Sequence, residues 1–243
     1  MDGRGYSFAL ETITGRDGER TVLRALHRPN YGPIDADWTG SELARRIAGG
    51  KRQPLSRAVG LHKHAAGEPS LHVLDATAGL GRDGFTLAAL GARVTLSERN
   101  SHVCALLRDA QRRAADQPAT RAAAERIDVV EADTLGLFGS EHSRHWDVIY
   151  LDPMYPDEGK AALPSKEMQI LRDLTGGDPD ADELLAPALH CARLRVVVKR
   201  PIKAEWLASA EPSMSITGTQ LRFDVYLKSA IRSILPVQDF HMP

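Results

Sequence analysis

Cysteine is nearly absent. The only two in 243 residues, Cys104 and Cys191, lie far apart and form no Cys-x-x-Cys. That excludes a disulfide framework and a structural zinc site, and it suits a reducing compartment. Long apolar runs are missing too: none approaches the roughly 18 residues that a membrane span needs. The first twenty residues are charged throughout and lack the apolar stretch of a secretory signal. Both absences lead to the expectation of a cytoplasmic protein. No charge of one sign dominates, with 31 Lys+Arg against 32 Asp+Glu. There is no global basic field, so nucleic-acid binding would need a local patch. Repeats and low-complexity tracts are also absent. The 42% hydrophobic and 26% charged residues exclude wholesale disorder and a coiled-coil rod.

What remains is a globular chain, read as an N-terminal extension over 1–70, a main domain over 71–229 and a tail over 230–243. The main domain alternates apolar strands with helical stretches. Strands are predicted at 72–75, 93–97, 127–131, 147–151 and 195–199, and helices at 84–90, 102–115, 167–174 and 182–189. Two further strand-like runs, 214–217 and 221–227, have hairpin spacing around Gly218. Strands joined through helices imply a parallel, doubly wound sheet, and the closing hairpin adds an antiparallel edge. This is the seven-stranded, Rossmann-like α/β layout of class I methyltransferases. An NAD-type domain would place a sixth parallel strand there. Residues 1–70 look less regular, apart from a helix at 42–48. Between Ser41 and His64 stand Arg45, Arg46, Lys51, Arg52, Arg57 and Lys63 against the single acid Glu42. That excess is a candidate phosphate-facing patch or, equally, a solvated face.

The first strand runs into Asp75-Ala76-Thr77-Ala78-Gly79-Leu80-Gly81-Arg82-Asp83-Gly84. Gly79 and Gly81 allow a tight turn and close approach of a ligand, and the helix behind them offers free N–H groups. Gly79 to Gly84 also fits the G-x-G-x-x-G dinucleotide fingerprint. Two acids bear on the choice of cofactor. Asp75 would repel a pyrophosphate but favour the positive groups of S-adenosylmethionine. Glu98, closing the next strand, can take both hydroxyls of a ribose, a device that NAD enzymes share. Arg99 beside it could stack or steer. Asp133 ends the third strand, where it could accept an adenine amine or simply cap a helix.

The fourth strand leads to Tyr150-Leu151-Asp152-Pro153-Met154-Tyr155-Pro156. An acid–Pro–x–aromatic loop at the C-terminal end of a central strand lies where open α/β sheets bind ligands. Pro153 and Pro156 stiffen the loop. Tyr155 offers a face for base stacking. Asp152 can accept a hydrogen bond from an exocyclic NH₂ and orient its lone pair, so that catalysis is mostly positioning. Lys199 and Arg200, ending the fifth strand, are expected on the same side as Asp152, holding phosphates beside a flipped base. His62 and His64, or His142 and His145, could pair on a metal, but surface histidines account for them better, and no metal is expected.

Taken together, DATAGLGRD (75–83), LSERN (96–100), YLDPMYP (150–156), Lys166-Glu167-Met168, VVVKRP (196–201) and RFDVY (222–226) resemble the small-subunit ribosomal RNA guanine-N2 methyltransferase family of RsmJ type. The resemblance spans roughly residues 34–228 and includes the glycine-rich stretch 49–52. It implies S-adenosylmethionine-dependent methylation of a guanine N2 near the 3′ end of 16S rRNA, with that rRNA or the small ribosomal subunit as partner. It also implies that Arg82, Asp83, Glu98, Arg99 and Asp133 touch the cofactor, that Asp152 is the acid of the catalytic loop, and that Tyr155 stands where the family often has Phe. Lys160 and Lys166 match basic positions after the loop, and with Lys51 and Arg52 they are candidate RNA contacts. The chain is expected to act as a monomer. The alternatives are an N6-adenine methyltransferase, an NAD(P)-dependent oxidoreductase, and a non-catalytic RNA-binding factor that keeps the fold.

Overall fold

The apolar runs after residue 71 become the strands of one sheet in the computed structural model, which describes residues 5–15, 18–64, 68–139, 146–154 and 165–231. Ahead of them β1 (Phe8–Gly15) and β2 (Gly18–Ala25) pair as an antiparallel hairpin. Two short helices follow, α1 (Ser41–Ala48) and α2 (Pro54–Val59). The chain then runs through β3 (His72–Asp75), α3 (Arg82–Ala89), β4 (Arg93–Glu98), α4 (Ser101–Asp116), α5 (Arg121–Ala124), β5 (Ile127–Glu131), α6 (Thr134–Phe138) and β6 (Val148–Leu151). It ends with α7 (Lys166–Thr175), α8 (Leu185–Cys191), β7 (Arg195–Pro201), β8 (Met214–Thr217), β9 (Leu221–Leu227) and the short α9 (Lys228–Ile231).

The sheet order is β5-β4-β3-β6-β7-β9-β8. The first five strands in this order are parallel, and β9 runs antiparallel to both of its neighbours. The order reverses between β3 and β6, so the loops leaving these strands part there and open a crevice. Every strand expected from the sequence after residue 71 is present. The β1–β2 hairpin was not expected. Its first strand half-buries Ala9, Glu11 and Ile13 and exposes Leu10, Thr12 and Thr14, so its apolar residues do not sort to one face as a sequence signal needs.

Successive residues of a strand face opposite sides of the sheet, and the core splits accordingly. Val73, Val94, Leu96, Val148 and Val197 pack on one side with Leu106 and Leu107 of α4. Leu74, Ile149, Leu151, Val196 and Val198 pack on the other with Leu185 and Ala188 of α8. The first cluster also holds Leu23, Trp38, Leu55 and Leu61, all fully buried. Each such side chain contributes about 1.5–3 kcal/mol by leaving water. Residues before 71 thus share the main core instead of forming an extension beside it. Among the described residues no helix is long and apolar enough to cross a membrane.

Candidate active site

The turn between β3 and α3 is shaped by what surrounds it. Gly81 caps α3 with φ of 72°, and a Cβ there would lie 2.8 Å from both Trp38 and Leu107. Trp38 also donates its indole N–H to the Leu80 carbonyl at 2.9 Å. At Gly84 a Cβ would come within 2.3 Å of Leu96, so only glycine lets α3 settle onto β4. The result is a cavity of about 390 Å³ at the C-terminal ends of β3, β4 and β6. It is lined by the glycine turn and by Asp75, Glu98, Asp133, Asp152 and Lys199, among others.

On the β4 side, Glu98 fixes the glycine turn: Gly79 donates its N–H to Oε2 at 3.1 Å, and Asn100 donates to Oε1 at 2.9 Å. Burial raises the Glu98 carboxyl above its ordinary value, against the pull of these two donors. Arg99 is held away from free rotation by Asp178, Asp180 and the Gly177 carbonyl. Arg82 forms a two-bond pair with Glu167 of α7, at 2.7 and 2.8 Å. Asp133 accepts the Leu135 N–H and so caps α6, while still lining the cavity. Asp75 is 2% exposed. Burial, helped by the like charges of Asp83 and Asp152, pushes its carboxyl well above the usual range, toward the neutral form. The expected attraction of positive cofactor groups by an Asp75 carboxylate is corrected to that extent.

On the β6 side, Asp152 begins the loop after the strand. The Thr77 hydroxyl accepts its N–H at 2.7 Å, and Asp178 accepts the N–H of Met154 at 2.7 Å. The side chain of Asp152 receives the Lys199 ammonium on Oδ2 at 2.7 Å. Lys199 also donates to Asp83 Oδ2 at 3.0 Å, which accepts the Tyr150 hydroxyl at 2.5 Å as well. Asp83 Oδ1 pairs with Arg46 of α1. Burial works against the Asp83 carboxylate, but Lys199 and Arg46 override it and hold the group well below its ordinary value.

Several sequence expectations change at this point. Asp83 already accepts from three protein donors, so it lines the cavity as part of a salt-bridge network. Lys199 faces two carboxylates and not an open phosphate site. Arg200, one residue on, lies on the other face of β7 and is buried, because neighbouring strand residues alternate. Pro153 is buried and stiffens the loop as expected. Lys51 and Arg52 are exposed on a single helical turn before α2. Lys166 starts α7 and lies 5.4 Å above the Tyr31 ring. Tyr155, Lys160, His142 and His145 lie outside the described residues. Among the described residues no cluster of three His, Cys, Asp or Glu could hold a metal. Arg46, Thr77, Glu167 and Asp178 were not anticipated. Each acts on a residue more than twenty positions away; Thr77 and Glu167 stood inside noticed motifs and Arg46 in the basic patch, but nothing local paired them with these partners.

Comparison with known proteins decides what such a cavity belongs to. Residues 9–228 match the model of a family described as putative S-adenosylmethionine-dependent methyltransferases. The chain belongs to this family. It is 46% identical over 223 residues to the ribosomal RNA small subunit methyltransferase J of Vibrio vulnificus (strain YJ016), covering 88% of this chain and 85% of that relative. The crystal structure of an S-adenosylmethionine-dependent methyltransferase from Neisseria gonorrhoeae superposes with a TM-score of 0.68 at 32% identity. It covers 97% of this chain and 89% of its own. The T. thermophilus 16S rRNA N2 G1207 methyltransferase shares the fold, with a TM-score of 0.51 at 14% identity over 91% of this chain and 50% of that one.

The class I fold and the methyltransferase reading are therefore borne out, and the oxidoreductase alternative falls. The match begins at residue 9, well before the expected start at 34, in keeping with the shared core. The residues present fit S-adenosylmethionine as the methyltransferase's cofactor. Glu98 presents a carboxylate beside the glycine turn, and the Cβ space at Gly79 is open to 4 Å. The buried Asp75 Oδ1 has no hydrogen-bond partner among the described residues, so a donor on the ligand could satisfy it.

Proposed function

We propose that this chain methylates the exocyclic N2 of a guanine in 16S rRNA, working in the cytoplasm with the small ribosomal subunit. The observation that carries the reading is Asp152: a carboxylate on a stiffened loop, beside the glycine turn, with its side chain 36% exposed to the cavity. The name of the 46%-identical Vibrio relative supports the rRNA substrate.

S-adenosylmethionine, when bound, supplies an electrophilic methyl group on a sulfonium. Glu98 would take the ribose hydroxyls, and the glycine turn would leave room for the rest. The chain's own work is positioning. An exocyclic amine is a poor nucleophile because its lone pair is delocalised into the ring. Asp152 accepts one of its N–H bonds, which turns the lone pair toward the methyl group, and it stands ready for the proton that the amine sheds. Tyr155 stacks the base. Lys51 and Arg52, with Arg57 and the lysines at 160 and 166, contact the RNA backbone.

The test is methyl transfer from labelled S-adenosylmethionine to rRNA and to small subunits, followed by digestion to nucleosides and mass spectrometry. Label in N2-methylguanosine is the expected result. Label in N6-methyladenosine would move the proposal to the adenine reading. RNA binding with no label in any nucleoside would favour a non-catalytic factor.

A further inference from the structure

A row of charges alternating in sign crosses the floor of the cavity: Arg46, Asp83, Lys199, Asp152. Its four members come from α1, α3, β7 and the loop after β6. Lys199 is the link between the two acids, and its side chain is only 19% exposed. Asp83 is held by Arg46 on Oδ1 and by the Tyr150 hydroxyl on Oδ2, the oxygen that Lys199 also meets. All four line the cavity, and of the two acids Asp152 is the open one, its side chain 36% exposed against 9% for Asp83. Asp152 spends Oδ2 on Lys199, while Oδ1 accepts from none of the described residues.

We propose that Lys199 is a positioning residue for methyl transfer: anchored by Asp83, it fixes Asp152 so that Oδ1 alone is presented to the exocyclic amine. This deepens the function proposed above and rests on it. The row sums to zero charge, so Lys199 offers little field to a phosphate, whereas a charge-assisted bond sets the carboxyl plane of Asp152. A carboxylate free to rotate would have to be ordered at each turnover, and misplacement of a reacting group is costly.

The same row sets the charge state of Asp152. Lys199 from β7, Asp83 from α3, Asp75 from β3, Tyr150 from β6 and Arg46 from α1 all face it, and Asp178 holds the next turn of its loop. Burial and the charge of Asp83 raise the Asp152 carboxyl, while Lys199 and Arg46 lower it. Removing Lys199 must therefore raise it further, and neutralising Asp83 must lower it. A general loosening of the site would not produce shifts of opposite sign.

The experiment measures the pH dependence of kcat/KM for rRNA methylation in the full chain, with carboxyl ¹³C NMR following Asp152 directly. Thermal melts and S-adenosylhomocysteine calorimetry check each variant. Lys199→Met is expected to lower kcat by about 10- to 100-fold with KM for rRNA and cofactor affinity little changed, and to move the acid limb to higher pH. Asp83→Asn is expected to move it to lower pH. Lys199→Arg should recover most of the rate lost in Lys199→Met. A raised KM for rRNA with kcat and the limb unmoved in Lys199→Met would overturn the proposal in favour of phosphate binding. Shifts of one sign in both variants would overturn it too. If Lys199→Met fails to fold, the sign of the Asp83→Asn shift decides. A wild-type protein inactive on rRNA would count against the proposed substrate, while the NMR titrations of Asp152 would still support or refute the part played by Lys199.

Discussion

Glu98 offers the sharpest quantitative test of the cofactor site. Its two oxygens already accept the N–H groups of Gly79 and Asn100, at 3.1 and 2.9 Å. A carboxylate has about four acceptor positions, so each oxygen keeps one for a ribose hydroxyl. Glu98→Ala removes all of them. The cofactor loses hydrogen bonds to a charged group, worth about 1.5–3 kcal/mol, and two N–H groups that shape the turn lose their acceptor. The dissociation constant for S-adenosylhomocysteine should rise about 10- to 150-fold. Glu98→Gln keeps one oxygen and should fall between wild type and Glu98→Ala, because its NH₂ cannot accept from either backbone donor. Calorimetry gives both constants, and a thermal melt shows whether the fold survives. Binding by a folded Glu98→Ala variant within twofold of wild type would refute the assignment.

Two further variants probe the frame around that site. Gly81→Ala forces a side chain into a left-handed backbone with Trp38 and Leu107 at 2.8 Å. It should cost about 2–4 kcal/mol and lower Tm by about 5–15 °C; an unchanged melt would mean that the turn is less confined than its contacts imply. Replacing Lys51, Arg52 and Arg57 together by Ala should weaken rRNA binding and reduce the slope of log affinity against log salt by about 2–3. An unaltered slope would make the segment a solvated face.

Legibility from the sequence followed the range of the interactions. Strands β3, β4 and β6 announced themselves because apolar runs bounded by glycine or acid are local signals, and β7 did so through its unbroken valines. The glycine turn and the loop at 152 were readable for the same reason. The hairpin β1–β2 was not, since its stability comes from distant contacts: Val22, Leu23 and Ala25 reach the core, and Thr21 donates its N–H to Asp109. The partners of Asp83 lie 37, 67 and 116 residues away. Nothing local marks such a meeting, so Asp83 was assigned to the cofactor and Lys199 to phosphate. The opposite facing of Lys199 and Arg200 was available from the two-residue period of a strand. The resemblance supplied the substrate, which no charge count or spacing could give.

The central claim is that Asp152 orients an amine for methyl transfer. Its most direct test is the single-turnover rate of methylation of rRNA by wild type and by Asp152→Ala, with S-adenosylhomocysteine affinity measured on both. The account predicts a rate lower by about 100-fold or more, with the affinity held within several-fold. A wild-type rate in Asp152→Ala would contradict it.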